Sequence, residues 1–240
     1  MDADELVVGI RHRTAVGKAM TGGVVQMLLL DSGPRLRGQA RRPGRLGRVT
    51  REIETEARRL LGATLTHGEV TVRITEVEAY GGVRDPASHA FRGPTPRSAI
   101  MFGPPDVLYV YLSYGMHYCA NVVVGAEGDA SAVLLRAGEV VRGRDVARER
   151  RGGVPDVRLA RGPANLTQAL GVTLAHNGVA LAGPEVVLRR PVEVPSDVST
   201  GPRVGVSRAA DVPWRFWLTG DPTVSAYRRS PRAPLEKPLG

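Results

Sequence analysis

The sequence predicts an α+β fold: a single domain with a curved antiparallel β-sheet, flanking helices and a protruding β-hairpin. Three observations carry this. Val70, Val72 and Ile74 alternate with Thr71, Arg73 and Thr75, which is the period of a half-buried strand. Two apolar-aromatic runs, Val107–Leu112 and Tyr118–Val124, flank the polar break Ser113-Tyr114-Gly115 and predict a hairpin. Helix signals are few and punctuated by Gly and Pro.

In chain order, residues 1–47 mix Gly, Arg and Pro with weak periodicity and are expected to form a basic, flexible extension. A folded domain is expected over 48–227, and the Pro- and Arg-rich residues 228–240 as a loose tail. A first helix is expected from a Thr50 cap, with Ile53, Ala57, Leu60 and Leu61 on one face and Gly62 ending it. After the hairpin, Ala132–Arg136 continues the sheet. Gly138–Arg151 reads as a basic helix, and Gly162-Pro163 followed by Ala164–Leu170 and Gly171 as a short one. Late strands are expected at Val186–Leu188, Arg203–Val206 and Arg215–Leu218.

Composition narrows the class. The formal net charge is +9, which attracts polyanions. Residues 1–48 hold nine Lys/Arg against four acids, so +5 of that charge is local to the N-terminal stretch. Cys119 is the only cysteine, which excludes an internal disulfide and any multi-cysteine metal site. No signal peptide or membrane span is read near the N-terminus, and a reducing cytoplasm is expected. His117 and Cys119 stand two apart, but two candidate ligands do not make a zinc site, so no metal is expected. The absence of a P-loop speaks against a nucleotide cofactor, and none is expected.

The segment most informative for chemistry is Ile74-Thr75-Glu76-Val77-Glu78-Ala79-Tyr80. Continuing the alternation puts Glu76, Glu78 and Tyr80 on the face of Val70, Val72 and Ile74. Spacing alone favours a strand that has left the core, with both carboxylates solvated or paired with Arg73 or Arg84, because an unpaired buried charge is costly. Two strand carboxylates at i and i+2 also lie about 6.5–7 Å apart, a separation an inverting glycoside hydrolase could use. The second segment, Leu108–Tyr118, holds four of the six tyrosines. Cross-strand aromatic packing and base stacking with a wedge at the hairpin tip account for it equally well.

Read together, Thr75–Tyr80, Asp85-Pro86-Ala87-Ser88-His89, Thr95-Pro96-Arg97, Met101-Phe102, Leu108–Tyr111, Tyr114-Gly115-Met116, Asn121, Leu134–Ala137, the Gly162-Pro163 helix and Arg203–Val206 resemble the alkyladenine (3-methyladenine) DNA glycosylase family, in order, from about Arg45 to Tyr227. The resemblance implies that Glu78 is the general base activating water at the sugar C1′. It implies that Arg136 and the Val204 carbonyl hold that water. Tyr80 and Tyr111 correspond to the aromatic walls around a flipped base, His89 to a hydrogen-bonding side chain near it, and Asn121 to a residue discriminating against guanine. Tyr114 corresponds to the intercalating wedge, and Met116 to a contact with the displaced strand.

The chemistry is consistent. A base must leave the stack before C1′ can be attacked, and a wedge replaces the lost stacking. An alkylated purine is cationic, which suits aromatic walls and makes it a good leaving group needing one carboxylate rather than two. The expected partner is double-stranded DNA carrying damaged purines, the expected state a monomer, and the expected reaction hydrolysis without strand cleavage, since no lysine accompanies the motifs. Two other classes stay in view: a damage-binding module without catalysis, and a carbohydrate hydrolase using Glu76 and Glu78.

Overall fold

A computed structural model describes residues 44–234 of the chain. Residues 1–43, most of the expected extension, and 235–240 lie outside the described residues. The described residues fold as α+β, with nine strands in one antiparallel sheet and three α-helices. No helix among them is long and apolar enough to cross a membrane.

The first helix, α1, spans Gly44–Arg59, so it starts six residues before the expected Thr50 cap. Its inner face is the expected one, with Ile53 and Ala57 buried and Leu60 and Leu61 buried in the turn that follows. Gly62 ends it at φ 78°, a left-handed position that suits glycine at a helix C-terminus.

The sheet is built around β2 (Val70–Tyr80) and β5 (Ala132–Arg142), which pair along their length. The far edge of β2 is shared. Its first half pairs with β1 (Thr64–His67), and its second half, from Glu76 to Glu78, pairs with β9 (Arg215–Leu218). Beyond β5 lies β4 (His117–Val123), then β3 (Leu108–Ser113); beyond β1 lies β7 (Val186–Arg189). The two-residue β6 (Ala160–Arg161) adds to β5, and β8 (Val198–Gly201) to β9. Helix α2 covers Arg144–Arg150 and α3 covers Pro163–Leu170.

Two compensating bulges set the geometry of everything that follows. Ile74 faces Gly138, Glu76 faces Ala137 and Val77 faces Leu135. Thr75 is thus left over on β2 and Arg136 on β5. Each extra residue shifts the side-chain alternation by one position. Val70, Val72, Ile74, Val77 and Ala79 therefore all join the main core, as do Val133, Leu135 and Val140 on the facing strand. Glu76, Glu78 and Tyr80 consequently lie on the face opposite Val70, Val72 and Ile74, not the same face as unbroken alternation predicts. The sequence cannot display this shift, because the residue numbers stay in phase while the backbone does not.

Two other expectations are corrected. Gly138–Arg142 is strand, and helix begins only at Arg144; pairing with β2 overrides local helix preference. The arginines of α2 hold neighbouring structure: Arg148 pairs with Asp145 and Asp156, Arg150 donates to the Ala169 carbonyl, and Arg151 to that of Leu159. Arg203–Val206 forms no strand despite its alternating look, since Gly205 turns at φ 72° and its N–H goes to the Arg228 carbonyl at 2.9 Å. The short strands β1 and β8 are additions that the apolar pattern did not announce.

The hairpin is as expected. Tyr114 and Gly115 both have positive φ, 49° and 71°, and Met116 N–H closes the turn on the Ser113 carbonyl at 3.1 Å. Two central residues with φ above zero match the right-handed twist of the flanking strands.

Gly138 tests the bulge. A Cβ there would overlap Val72 Cγ1 and the Arg73 carbonyl, both fixed by the β2–β5 pairing. Gly138→Ala should destabilise the fold by about 1–3 kcal/mol, the usual cost of overpacking, read as a lower midpoint in urea unfolding. An unchanged midpoint would mean the strands are not held this close.

Candidate active site

The two strands that carry the bulges also carry the charges. Glu76 and Glu78 are both fully buried, which overturns the expectation of solvated carboxylates paired with Arg73 or Arg84. Arg73 instead pairs with Glu139 and Asp221. The partner of both glutamates is Arg136, the bulge residue of β5. Its Nε donates to Glu76 Oε1 at 2.8 Å, and its Nη1 stands 3.3 Å from Glu78 Oε1.

Glu76 is saturated. Besides Arg136 it accepts from Arg215 Nε at 2.7 Å, from Ser225 N at 2.7 Å and from Ser225 Oγ at 3.0 Å. Burial alone would raise its pKa, but the Arg136 and Arg215 charges and the Ser225 N–H outweigh it and hold the carboxyl below its usual range. Such a carboxylate anchors neighbours and has no proton to give. The pairing of Glu76 with Glu78 as acid and base of a carbohydrate hydrolase therefore fails.

Glu78 is held but not saturated. Oε1 accepts the Val204 N–H at 2.7 Å, and Oε2 accepts the Tyr80 hydroxyl at 2.9 Å. A carboxylate offers about four lone-pair sites, so capacity remains on Oε2. It faces a cavity of about 840 Å³, which it lines together with Tyr80, His89, Tyr111, Asn121 and Arg136. Tyr114 and Val204 border the same cavity. The structure thus brings together every residue singled out for the base pocket and for catalysis. Val204 also contacts Glu78 directly, its N–H donating to Oε1.

The walls have their own supports. The bulge-derived phase turns Tyr80 inward, and the Arg203 guanidinium lies over its ring, 4.8 Å from the centroid. Burial, then Glu78 and Tyr111 nearby, push the Tyr80 hydroxyl well above its ordinary pKa, so it stays a proton donor to Glu78. Tyr111 stands opposite Cys119 on β4, and burial, with Cys119 adjacent, raises its pKa too. The Arg97 guanidinium lies over the Tyr111 ring at 4.7 Å. Asn121 is buried at the base, its Nδ2 donating to the Tyr109 carbonyl at 3.0 Å. His89 Nδ1 pairs with the Tyr109 hydroxyl at 3.0 Å, and its ring meets Tyr111 edge-on.

At the hairpin tip Tyr114 is 88% exposed and Met116 72% exposed. Large apolar side chains in such positions have no folding role to satisfy.

Sequence reasoning missed the second buried ion pair. Arg203 and Asp85 are both buried, with Arg203 Nη2 donating to Asp85 Oδ1 at 2.9 Å and Nη1 to the Ala79 carbonyl at 3.0 Å. Trp214 packs on the other side of the guanidinium, at 5.3 Å. This pair fixes the 203–208 loop against the end of β2, and so places the Val204 N–H. Asp85 and Arg203 both fall inside the quoted motifs, but 118 residues apart, with no local signal to couple them. Arg97 is another residue whose motif was visible and whose contact was not.

The chain is similar to known proteins over most of its length. The family model described as methylpurine-DNA glycosylase matches residues 48–222. A protein of Nocardia farcinica is 59% identical over 189 residues, covering 75% of this chain and 89% of its own length. One from Cutibacterium acnes is 54% identical over 176 residues, covering 70% and 92%, and one from Frankia casuarinae is 54% identical over 196, covering 77% and 92%. All three carry the name "Putative 3-methyladenine DNA glycosylase".

His89 gives a titration test. It keeps an exposed flank, yet water withdrawn by the surrounding protein, and then the Arg97 charge, lower its pKa from 6.5 to about 4. The folded state therefore binds fewer protons than the unfolded chain between those values. The stabilisation is complete above 6.5 and is lost as pH falls through 4. An NMR titration of the His89 ring should find its midpoint near 4, moving upward in Arg97→Gln. A midpoint near 6.5 in the wild type would contradict the enclosure described.

Proposed function

Since the chain belongs to the methylpurine-DNA glycosylase family, we propose that it extrudes a damaged purine from duplex DNA into this cavity and hydrolyses the bond to the sugar with a water activated by Glu78. The chain is a DNA glycosylase of the 3-methyladenine type, a hydrolase of the N-glycosyl bond. Its lesions are the alkylated and deaminated purines: 3-methyladenine, 7-methylguanine, hypoxanthine and ethenoadenine. It acts as a monomer, in the bacterial cytoplasm, and leaves an abasic site.

The observation that carries the reading is the state of Glu78. It is a fully buried carboxylate, oriented by three donors from three parts of the chain, with spare acceptor capacity facing a cavity large enough to admit a nucleobase. A binding module has no use for such a group, since burying a charge costs several kcal/mol unless something is gained. In the proposed reaction the water donates a hydrogen bond to Glu78 Oε2 and its oxygen attacks C1′ as the glycosidic bond breaks. Glu78 takes the proton, the base leaves with the bond electrons, and the negative carboxylate stabilises the developing oxocarbenium charge. Arg136 steadies the carboxylate beside it. The Val204 N–H is committed to Glu78, and its carbonyl serves as a second acceptor for the water.

Tyr80 and Tyr111 flank the extruded base, with His89 and Asn121 offering polar contacts along its edge. The Asn121 amide, fixed by the Tyr109 carbonyl, opposes the exocyclic amino group of guanine. Tyr114 fills the gap in the stack, and Met116 touches the displaced strand. The exposed Arg92, Arg97 and Arg208 around the mouth meet phosphates, and binding weakens as salt rises.

Two variants test this. Glu78→Gln keeps the shape and the Tyr80 contact but cannot take a proton. Single-turnover base release from an oligonucleotide containing hypoxanthine or ethenoadenine should fall by about 10²–10⁴-fold, the usual contribution of a positioned base, while gel-shift affinity is kept. Undiminished release would remove Glu78 from the chemistry. Tyr114→Ser should weaken binding to lesion duplex by roughly tenfold or more, in line with the 1–3 kcal/mol of one base-aromatic stack. Its melting temperature should match the wild type, because the side chain is exposed. Equal lesion affinity in the two proteins would eliminate the wedge.

A further inference from the structure

Away from the cavity, three side chains from three separate segments point at one another. His67 ends β1, His176 ends a short 3-10 turn over Leu174–His176, and Glu185 precedes β7. The Nε2 atoms of the two histidines are 3.0 Å apart, and Glu185 Oε1 is 3.6 Å from His176 Nε2. All three ligand atoms lie within 4.8 Å of one another, and among the described residues this is the one group of three or more His, Cys, Asp or Glu so arranged. None of the three lines the cavity of Glu78.

We infer that His67, His176 and Glu185 form a binding site for a divalent transition-metal ion of the zinc type. Zinc favours imidazole nitrogen and carboxylate oxygen at about 2.0–2.2 Å in a tetrahedral arrangement. Two nitrogens on such an ion stand about 3.3 Å apart, close to the 3.0 Å observed. Ordering around the ligands is also in place. His67 Nδ1 lies 2.8 Å from the Leu170 carbonyl at the end of α3. That acceptor puts the ring proton on Nδ1 and leaves the Nε2 lone pair facing its partners, the support metal-bound imidazoles regularly have.

His176 must change tautomer to bind. With the Thr173 N–H donating to its Nδ1 at 3.0 Å, the proton sits on Nε2 and is shared with His67 Nε2. An ion takes the place of that proton between the two nitrogens. The proton moves to His176 Nδ1, which gives up the Thr173 N–H bond and donates instead towards the Thr173 carbonyl or Oγ1, each 3.3 Å away, so the ring stays neutral. Glu185 contributes one negative charge. With three protein ligands, the fourth position goes to water, which the exposure of Glu185 on its open side permits (its side chain is 53% accessible).

The site has a mechanical consequence. His67 faces Val186 across the β1–β7 pairing, and β7 is the last strand on that side of the sheet. An ion would tie this edge to the turn that follows α3. It acts as a staple rather than as part of the reaction. Sequence spacing carries no trace of it, because the two histidines are 109 residues apart.

The test uses the full chain after dialysis against a chelator. Calorimetric titration with ZnCl2, and visible absorption during titration with CoCl2, should give one ion per chain. Saturating Zn2+ should raise the melting temperature by about 5 °C, as expected for a ligand well above its Kd on a domain of this size. Glu185→Ala, at an exposed position, should fold normally, release damaged bases at the wild-type rate, bind Zn2+ at least tenfold more weakly and lose the thermal shift. His67→Asn should do the same to binding. No uptake by the wild type, or equal uptake by wild type and Glu185→Ala, would overturn the assignment.

Discussion

The site depends on two extra residues, Thr75 in β2 and Arg136 in β5, that sit almost opposite each other in the central pair of strands. A strand pair in regular register would put Glu76, Glu78 and Tyr80 among the valines of the core and leave Arg136 among its own neighbours in the ladder. The paired bulges rotate both strands by one residue together. Apolar side chains before and after the shift stay in one core, and the polar ones emerge on the other face, where Arg215 from the neighbouring β9 and the Val204 N–H from the 203–208 loop reach them. Bulges re-aim side chains in this way wherever a sheet has to present chemistry without giving up its packing.

Having turned charged groups into the interior, the fold must neutralise them there. Glu76, Glu78 and Asp85 are matched by Arg136, Arg203 and Arg215, all six buried. Removing water from so many charges costs more than their mutual attraction returns unless each is well hydrogen-bonded. Nearly all are. The exception is Arg203 Nε, which lacks a partner and lies in a guanidinium held between the Tyr80 and Trp214 rings, where ring faces offset part of the loss. The arrangement divides labour. Glu76 takes the full load of donors and locks Arg136 and Arg215, so that Glu78 need accept only enough to be oriented. Asp85 plays the equivalent part for Arg203 and thereby for Val204.

This division explains what could and could not be read from residues alone. The alternation of Val70–Ile74, the aromatic hairpin with its Tyr114-Gly115 tip and the Pro163 helix are local patterns, and local physics carries them into the fold unchanged. Glu76 and Glu78 also looked local, and there the reading failed. Their solvation was the economical guess for two acids on a strand, but their partners, Arg136 and Arg215, arrive from 60 and 139 residues away. Arg203–Val206 failed for the same reason. Its apparent alternation belongs to a loop tied to distant acceptors by the Val204 N–H, the Gly205 N–H and the Arg203 guanidinium. The candidate site residues come from ordered family motifs and not from periodicity, because a motif records the outcome of long-range pairing that spacing does not reveal.

On the proposed mechanism, the charges also say where selectivity for alkylated purines can arise. The cavity is lined by one carboxylate, Glu78, against four guanidiniums, of Arg92, Arg97, Arg136 and Arg208, and His89 is neutral above about pH 4. Both aromatic walls already hold a guanidinium over the ring, Arg203 on Tyr80 and Arg97 on Tyr111. Each such contact draws on the ring quadrupole and adds a like charge near any cationic base. The roughly 0.5–2 kcal/mol that a cation gains over a free aromatic face is therefore not available in full. Simple attraction cannot make this pocket prefer a positively charged purine to a neutral one of the same shape. The preference must enter when the bond breaks, since a cationic base leaves as a neutral molecule while a neutral one must gain a proton as it departs. Discrimination by departure and not by binding allows the same pocket to admit neutral lesions and process them more slowly.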